Sequence, residues 1–327
     1  MTDSGVTIRE FGTEDARRVL PRRPAGAHKW GVGGVLIVAG SPGYVGAAAL
    51  CAMAAGRAGA GIVNCAVHRS LVTAIVGVVP EAGFTLLPEG DMGTTGKRVL
   101  DAIDKKAEKS AAFVVRPGLG DDDYARDLMI ALLGLAEQSP ILSLGFGVPR
   151  GQVSEAAERH SLLAYDKPIL VDADGLNALA RIDDWWTRLP EGRMVLTPHV
   201  GEFSRLMDME TREILADPEG AAVSAALKFR QVVLLKGAPT IVTDGTTIYR
   251  ATDAPPSLAT GGSGDVLSGT IGALLAQGLS LVDAANLGVY AGVKAARRLE
   301  TELGTLGLVA SDLPRAIAVE LAALERS

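Results

Sequence analysis

Short apolar runs alternate with longer helical stretches along most of this chain, and that alternation restricts the fold more than any other property of the sequence. Val35–Ala39, Ile62–Val67, Ala111–Val115, Ile169–Val171, Met194–Leu196, Val232–Leu235, Thr240–Thr243 and Thr247–Arg250 read as strands. Helices are predicted over Ala47–Ala58, Gly96–Lys109, Tyr124–Glu137, Gly175–Arg181, Gly201–Met207, Val266–Gln277, Leu281–Leu299 and Asp312–Glu325. Gln152–Tyr165 reads as a charged helix that elaborates one connection, and Asp244-Gly245 as the turn between the last two strands. Strand and helix in succession predict an α/β fold whose mainly parallel sheet carries helices on both faces. Residues 1–28, polar and proline-rich, are expected to form an arm leading into a single domain over 29–327.

In such a sheet, ligands bind beyond the carboxyl ends of the strands, so the loops there are the functional candidates. The sharpest of them is Ala259-Thr260-Gly261-Gly262-Ser263-Gly264-Asp265-Val266-Leu267. Its glycines allow positive φ and close approach of a ligand to the backbone. The helix that follows presents unpaired N–H groups and a positive dipole end, which together make an anion site. Asp265 is the unusual member, because a carboxylate beside phosphate is unfavourable unless it takes a proton from a substrate hydroxyl or holds a metal ion. An ordinary helix start accounts for the same glycines.

The other loops are weaker signals taken singly. Gly40-Ser41-Pro42-Gly43-Tyr44-Val45-Gly46-Ala47 opens a helix of very small residues, which suits either a large planar ligand or close helix packing. It matches neither a Walker A loop nor a dinucleotide fingerprint. Arg116-Pro117-Gly118-Leu119-Gly120 reads as a ligand-facing loop or a tight turn. Asp172, Asp174 and Asn177 end a strand and open a helix; carboxylates there can hold Mg²⁺ through water, and Asp174 can equally be a helix cap. His199 and Glu202 flank another strand-to-helix turn, His199 as a substrate contact and Glu202 as a metal-water ligand or first-turn carboxylate. Lys236, in Lys236-Gly237-Ala238-Pro239-Thr240, could neutralise a nucleotide phosphate or be an ordinary surface lysine.

Composition narrows the partners. A net charge of −6 with scattered acids argues against nucleic acid or a membrane surface as the main partner. No apolar span reaches the roughly 20 residues of a membrane helix, and the first residues lack a secretory pattern, so a cytoplasmic protein is expected. Cys51 and Cys65 sit in apolar surroundings and read as buried thiols.

With these motifs in order, the chain resembles the ADP/ATP-dependent NAD(P)H-hydrate dehydratases. The resemblance rests on Gly-Ser-x-x-Tyr-x-Gly-Ala at 40–47, Pro-Gly-Leu-Gly at 117–120, Asp-Ala-Asp-Gly-Leu-Asn at 172–177, Thr-Pro-His-x-Gly-Glu at 197–202, Lys-Gly-Ala-x-Thr at 236–240 and Thr-Gly-Gly-Ser-Gly-Asp-Val-Leu at 260–267. It implies a ribokinase-like three-layer sandwich and a metabolite-repair lyase that restores NADH or NADPH from NADHX or NADPHX. A nucleotide, ADP or ATP, phosphorylates the hydrate's hydroxyl, and phosphate is then eliminated.

The same resemblance implies roles for residues. Asp265 would be the base, and Gly262, Ser263 and Gly264 the phosphoryl anion hole. Ala47, Gly118, Gly120 and His199 would contact the hydrate together with Asp265. Lys236, Gly237, Ala238, Pro239, Thr240 and Gly264 would bind the nucleotide. Mg²⁺ would bridge the phosphates, held indirectly by Asp174, Asn177 and Glu202. A homo-oligomer, for instance a tetramer, and a separate NAD(P)HX epimerase are the implied partners. The chain departs from the family at Arg116, in a longer 139–165 segment, and after Tyr290, where Ala291-Gly292-Val293-Lys294-Ala295 replaces the usual His-Gly-x-Ala-Gly. The alternatives are a kinase of the same fold acting on a vitamin alcohol or sugar, and a nucleotide-binding relative without catalysis.

Overall fold

The computed structural model describes residues 6–90, 92–115, 123–135 and 161–326. Its strands are β1 (Thr7–Glu10), β2 (Gly34–Val38), β3 (Ile62–His68), β4 (Gly83–Leu87), β5 (Ala112–Val115), β6 (Ile169–Val171), β7 (Met194–Leu196), β8 (Val232–Leu235), β9 (Ile241–Thr243) and β10 (Thr247–Arg250). They form one ten-stranded sheet in the order β1-β10-β9-β8-β7-β6-β5-β2-β3-β4. Every pairing among them is parallel except those of β9, which runs against both β8 and β10. The central strands are apolar and buried on both faces, as a parallel sheet inside two helical layers requires.

Side-chain alternation divides the core into two. Val35 and Ile37 of β2 face one cluster and Leu36 and Val38 the other. The first cluster takes the helices Val45–Arg57, Ser263–Ala276, Leu281–Gly307 and Leu313–Arg326. The second takes Met92–Ala107, Asp123–Leu132, Asp174–Leu179, Val200–Met207 and Pro218–Phe229. The result is a three-layer α/β sandwich.

Close packing explains the small residues that the sequence left ambiguous. A Cβ added to Gly269 would lie 2.1 Å from the Cys51 carbonyl oxygen, and one on Gly272 2.3 Å from Val114 Cγ2. The helices Val45–Arg57 and Ser263–Ala276 therefore lie against each other and against β5 at a distance only glycine permits. This contact holds the glycine-rich loop beside the turn that follows β2.

The segment expected as an arm is partly built into the domain. β1 adds to the sheet edge by pairing with β10, and Ala16 of the helix Thr13–Val19 is fully buried in the first cluster. The sequence reading also lacked β4 and the helices Val72–Val76, Thr211–Ala216 and Pro218–Phe229. Of the charged helix predicted over Gln152–Tyr165, residues 152–160 lie outside the described residues; Leu162–Ala164 form a single 3-10 turn. No helix among the described residues is long and apolar enough to cross a membrane.

Candidate active site

The chain leaves β2 in one direction for β3 and β4, and returns on the other side at β5, so β2 and β5 flank a topological switch point. A crevice beyond their carboxyl ends is where open α/β sheets bind ligands. The loop after β2 enters it through Gly40, whose φ of 89° favours glycine and whose Cβ would come within 3.2 Å of Ala48 and Leu71. Ala47 lies in the first turn of the helix that follows. Tyr44, at the start of that helix, is 63% exposed. Arg116, Gly118 and Gly120, in the loop after β5, lie outside the described residues.

The glycine-rich loop ends in a helix start with no side-chain cap. Gly262 is the capping residue, at φ 92°, and a Cβ there would meet Leu50 Cδ1 at 2.6 Å and Ala310 Cβ at 3.0 Å. Ser263 turns its hydroxyl back to the Thr260 carbonyl, 3.0 Å away, rather than over the first-turn N–H groups. Asp265, half-buried in that first turn, brings Oδ2 within 3.5 Å of the space above Gly262. A carboxylate thus folds back over the start of this helix, whose capping residue is a glycine and brings no side chain of its own to the first-turn N–H groups.

Behind this loop lies a buried ionic cluster. Asp172 follows β6 and is 0% exposed; its Oδ1 accepts from Lys236 Nζ at 2.5 Å and its Oδ2 from Ser268 Oγ at 2.8 Å. Lys236 is therefore no free surface lysine: it is half-buried and ion-paired, and its backbone N–H donates to the Pro198 carbonyl at 2.8 Å. One residue beyond Asp172, Ala173 has φ 46° and ψ −114°, a conformation costing an L residue about 1–3 kcal/mol. The strain bends the chain directly from the strand end into the helix Asp174–Leu179.

His199 and Glu202 form a reciprocal cap on the helix Val200–Met207. His199 Nδ1 accepts from the Gly201 N–H at 2.9 Å, and the His199 N–H donates to Glu202 Oε2 at 2.8 Å. With Nδ1 an acceptor, neutral His199 carries its proton on Nε2, which lies 3.3 Å from Glu202 Oε1. The ring is 55% exposed and open to a ligand, whereas Glu202 is buried. Burial pushes the Glu202 carboxyl up; the Lys236 charge opposes this, Asp172 adds to it, and the His199 N–H and imidazole oppose it.

Of Asp174, Asn177 and Glu202, expected to hold a metal ion indirectly, Asn177 and Glu202 are engaged by protein partners. Asn177 Oδ1 accepts from the cationic Arg205 Nε at 2.9 Å, and both Glu202 oxygens face His199. Among the described residues no three His, Cys, Asp or Glu side chains converge as a metal set. Lys236, beside Asp172 and near Glu202, is the fixed cation of this cluster.

Lys236-Gly237-Ala238-Pro239-Thr240 leaves β8 and turns, with Thr240 Oγ1 donating to the Gly237 carbonyl at 3.1 Å. Thr240 also lines a shallow cleft together with Phe11, Tyr249, Asn286, Tyr290 and Val293. Phe11 packs edge-on against Tyr249 and Tyr290, at centroid distances of 6.4 and 6.3 Å. Val293 and Lys294, where the sequence departs from the expected pattern after Tyr290, line the same cleft. Sequence reasoning missed Ser268 and this aromatic cleft. It read Asp172 as one of two strand-end carboxylates able to hold Mg²⁺ through water, whereas the structure pairs it with Lys236 and Ser268.

The sequence profile of the NAD(P)H-hydrate dehydratase family matches residues 35–318. The chain belongs to that family. It is 35% identical over 309 residues to the bifunctional NAD(P)H-hydrate repair enzyme Nnr of Salinibacter ruber, covering 94% of this chain and 51% of that protein. It thus spans about half the length of the bifunctional relatives it matches. With the ADP-dependent (S)-NAD(P)H-hydrate dehydratase of Xanthomonas campestris it shares 31% identity over 92% of both chains. The ADP/ATP-dependent NAD(P)H-hydrate dehydratase of Bacillus subtilis, co-crystallized with ATP/Mg²⁺, superposes with a TM-score of 0.73 at 25% identity, over 98% of this chain and 99% of that one. A ribokinase-like superfamily protein of Enterococcus faecalis, at 17% identity, gives a TM-score of 0.74 over 99% and 98% of the two chains and shows the same fold. The sheet and its two helical layers are ribokinase-like.

Proposed function

We propose that this protein converts NADHX and NADPHX to NADH and NADPH at the expense of a nucleotide, ADP or ATP. The observation that carries the reading is Asp265 folded over the glycine-capped start of the helix Ser263–Ala276, beside a crevice at the switch point of the sheet. In this reading the hydrate's hydroxyl oxygen attacks the terminal phosphorus, its proton passes to Asp265, and the bond to the leaving AMP or ADP breaks. Backbone N–H groups at Gly262, Ser263 and Gly264 face the charge that develops on the transferred phosphoryl group. The ring C–O bond then breaks, inorganic phosphate leaves, and loss of the neighbouring ring proton re-forms the double bond.

The remaining loops position the two substrates, which is most of what phosphoryl transfer asks of a protein. His199, exposed and held in one orientation by its cap, and Ala47 face the hydrate. Lys236 to Thr240 and Gly264 take the nucleotide, with the aromatic cleft beside Thr240 suited to its base. Mg²⁺ would arrive with the nucleotide and neutralise phosphate charge, because among the described residues no cluster of His, Cys, Asp or Glu would coordinate it directly. A homo-oligomer and a separate epimerase complete the proposal. Offering NADHX and NADPHX with each nucleotide, alongside a panel of vitamin alcohols and sugars, tests it. Return of the reduced-nicotinamide absorbance supports the reading; turnover confined to another alcohol contradicts it.

A further inference from the structure

Two of the elements that the functional reading uses are tied together by a side chain to which that reading gives no task. Asp172 is wholly buried, and its two oxygens point to different elements: Oδ1 to Lys236 at the end of β8, Oδ2 to Ser268 in the helix that carries the anion loop. Ser268 is itself fully buried, just over one turn into that helix. The ammonium of Lys236 is directed inward to Asp172, and its backbone is bound to the strand end before His199. A charge in the interior is tolerated only with its partner in good geometry, so this pairing leaves Lys236 little freedom.

We propose that Asp172 is a positioning residue for the nucleotide, fixing the Lys236 ammonium and the phosphate-binding helix start in one register. Lys236 then presents its positive charge at a set distance from the first-turn N–H groups of Ser263–Ala276, and the two act on the nucleotide's phosphates as a unit. The carboxylate has no contact with the reacting atoms. It acts through Lys236 on one side and Ser268 on the other. The inference rests on the proposed nucleotide site and not on the identity of the second substrate.

Calorimetric titration with ADP, alongside thermal unfolding, tests it in the wild type, Asp172→Asn, Lys236→Met, the double variant and Ser268→Ala. Asp172→Asn and Lys236→Met should each weaken ADP binding by about tenfold or more and lower the Tm, since each leaves one buried group of the pair uncompensated. The double variant should regain Tm, because no unpaired charge remains, while its ADP affinity stays no better than that of Lys236→Met. A merely structural pair predicts that affinity returns together with stability, and that result overturns the inference. Ser268→Ala keeps the ion pair and should fold, with a Tm lowered because one buried Asp172 oxygen loses its donor; it should bind ADP several-fold more weakly at temperatures where it is fully folded, and wild-type affinity there overturns the tether to the helix. A wild-type protein that binds no ADP overturns the functional reading as well. Variants that bind as tightly as wild type overturn only this inference.

Discussion

In the proposed reaction Asp265 is the base and the helix start beside it the anion site, and the two roles predict separable effects. Asp265→Ala should lower turnover by about 10²–10⁴-fold, the usual contribution of a positioned general base, while calorimetric ADP affinity stays within a few-fold. Equal losses of both would place the carboxylate in binding rather than proton transfer. Gly262 is replaceable by nothing larger: alanine there meets a left-handed penalty of about 1–2 kcal/mol, and its Cβ would lie 2.6 Å from Leu50 Cδ1. Gly262→Ala should therefore lower both Tm and turnover. Glu202 carries a pH signature. Burial holds its carboxyl above the ordinary glutamate value, so the folded protein binds this proton more tightly than the unfolded chain does. The stability it contributes must fall as pH rises from about 4.3 through the raised folded value. Glu202→Gln keeps an acceptor for the His199 N–H and removes the titration. Its Tm relative to wild type should rise with pH across that window, and a pH-independent difference contradicts this assignment.

Strands buried on both faces were legible because their composition is uniform: Ile169–Val171, Met194–Leu196 and Val232–Leu235 occur where the apolar runs placed them. β4 escaped because Gly83–Leu87 is an edge strand with alternating exposure, and no continuous apolar run marks it. The helix Pro218–Phe229 had a readable start, Asp217 capping the Gly220 N–H at 2.9 Å with proline in the first position, but its alanines lack strong periodicity. In the site, the loops and Asp265 could be read from spacing. The contacts of Asp172 could not, because Lys236 and Ser268 lie 64 and 96 residues away in sequence. The first element shows the same limit: β1 is mostly polar and exposed, yet the chain beyond it delivers Phe11 to the cleft beside Thr240. Phe11→Ala should destabilise the protein by about 3 kcal/mol in chemical denaturation and weaken ADP binding. Unchanged ADP affinity would place the base outside this cleft.

The molecule assembles its site from strand ends spread from β2 to β8 and from a helix that begins after β10, so the site exists only when the whole sheet does. The first core cluster runs beneath the glycine-rich loop and contains both Cys51 and Cys65. Burial pushes the Cys65 thiol up to about 12. A chromogenic disulfide reagent at pH 8 should therefore leave both thiols unmodified until denaturant unfolds the sheet, and rapid modification of the native protein contradicts that packing. In the proposed reaction one site both transfers a phosphoryl group and eliminates it. This is tested most directly by following reduced-nicotinamide absorbance, inorganic phosphate and nucleotide consumption in one sample of NADHX with ADP or ATP. NADH and phosphate should appear in amounts equal to the nucleotide consumed, and Asp265→Ala should slow all three together by about 10²–10⁴-fold. Nucleotide consumed with its phosphate retained on an organic product, and no recovery of absorbance, would contradict it.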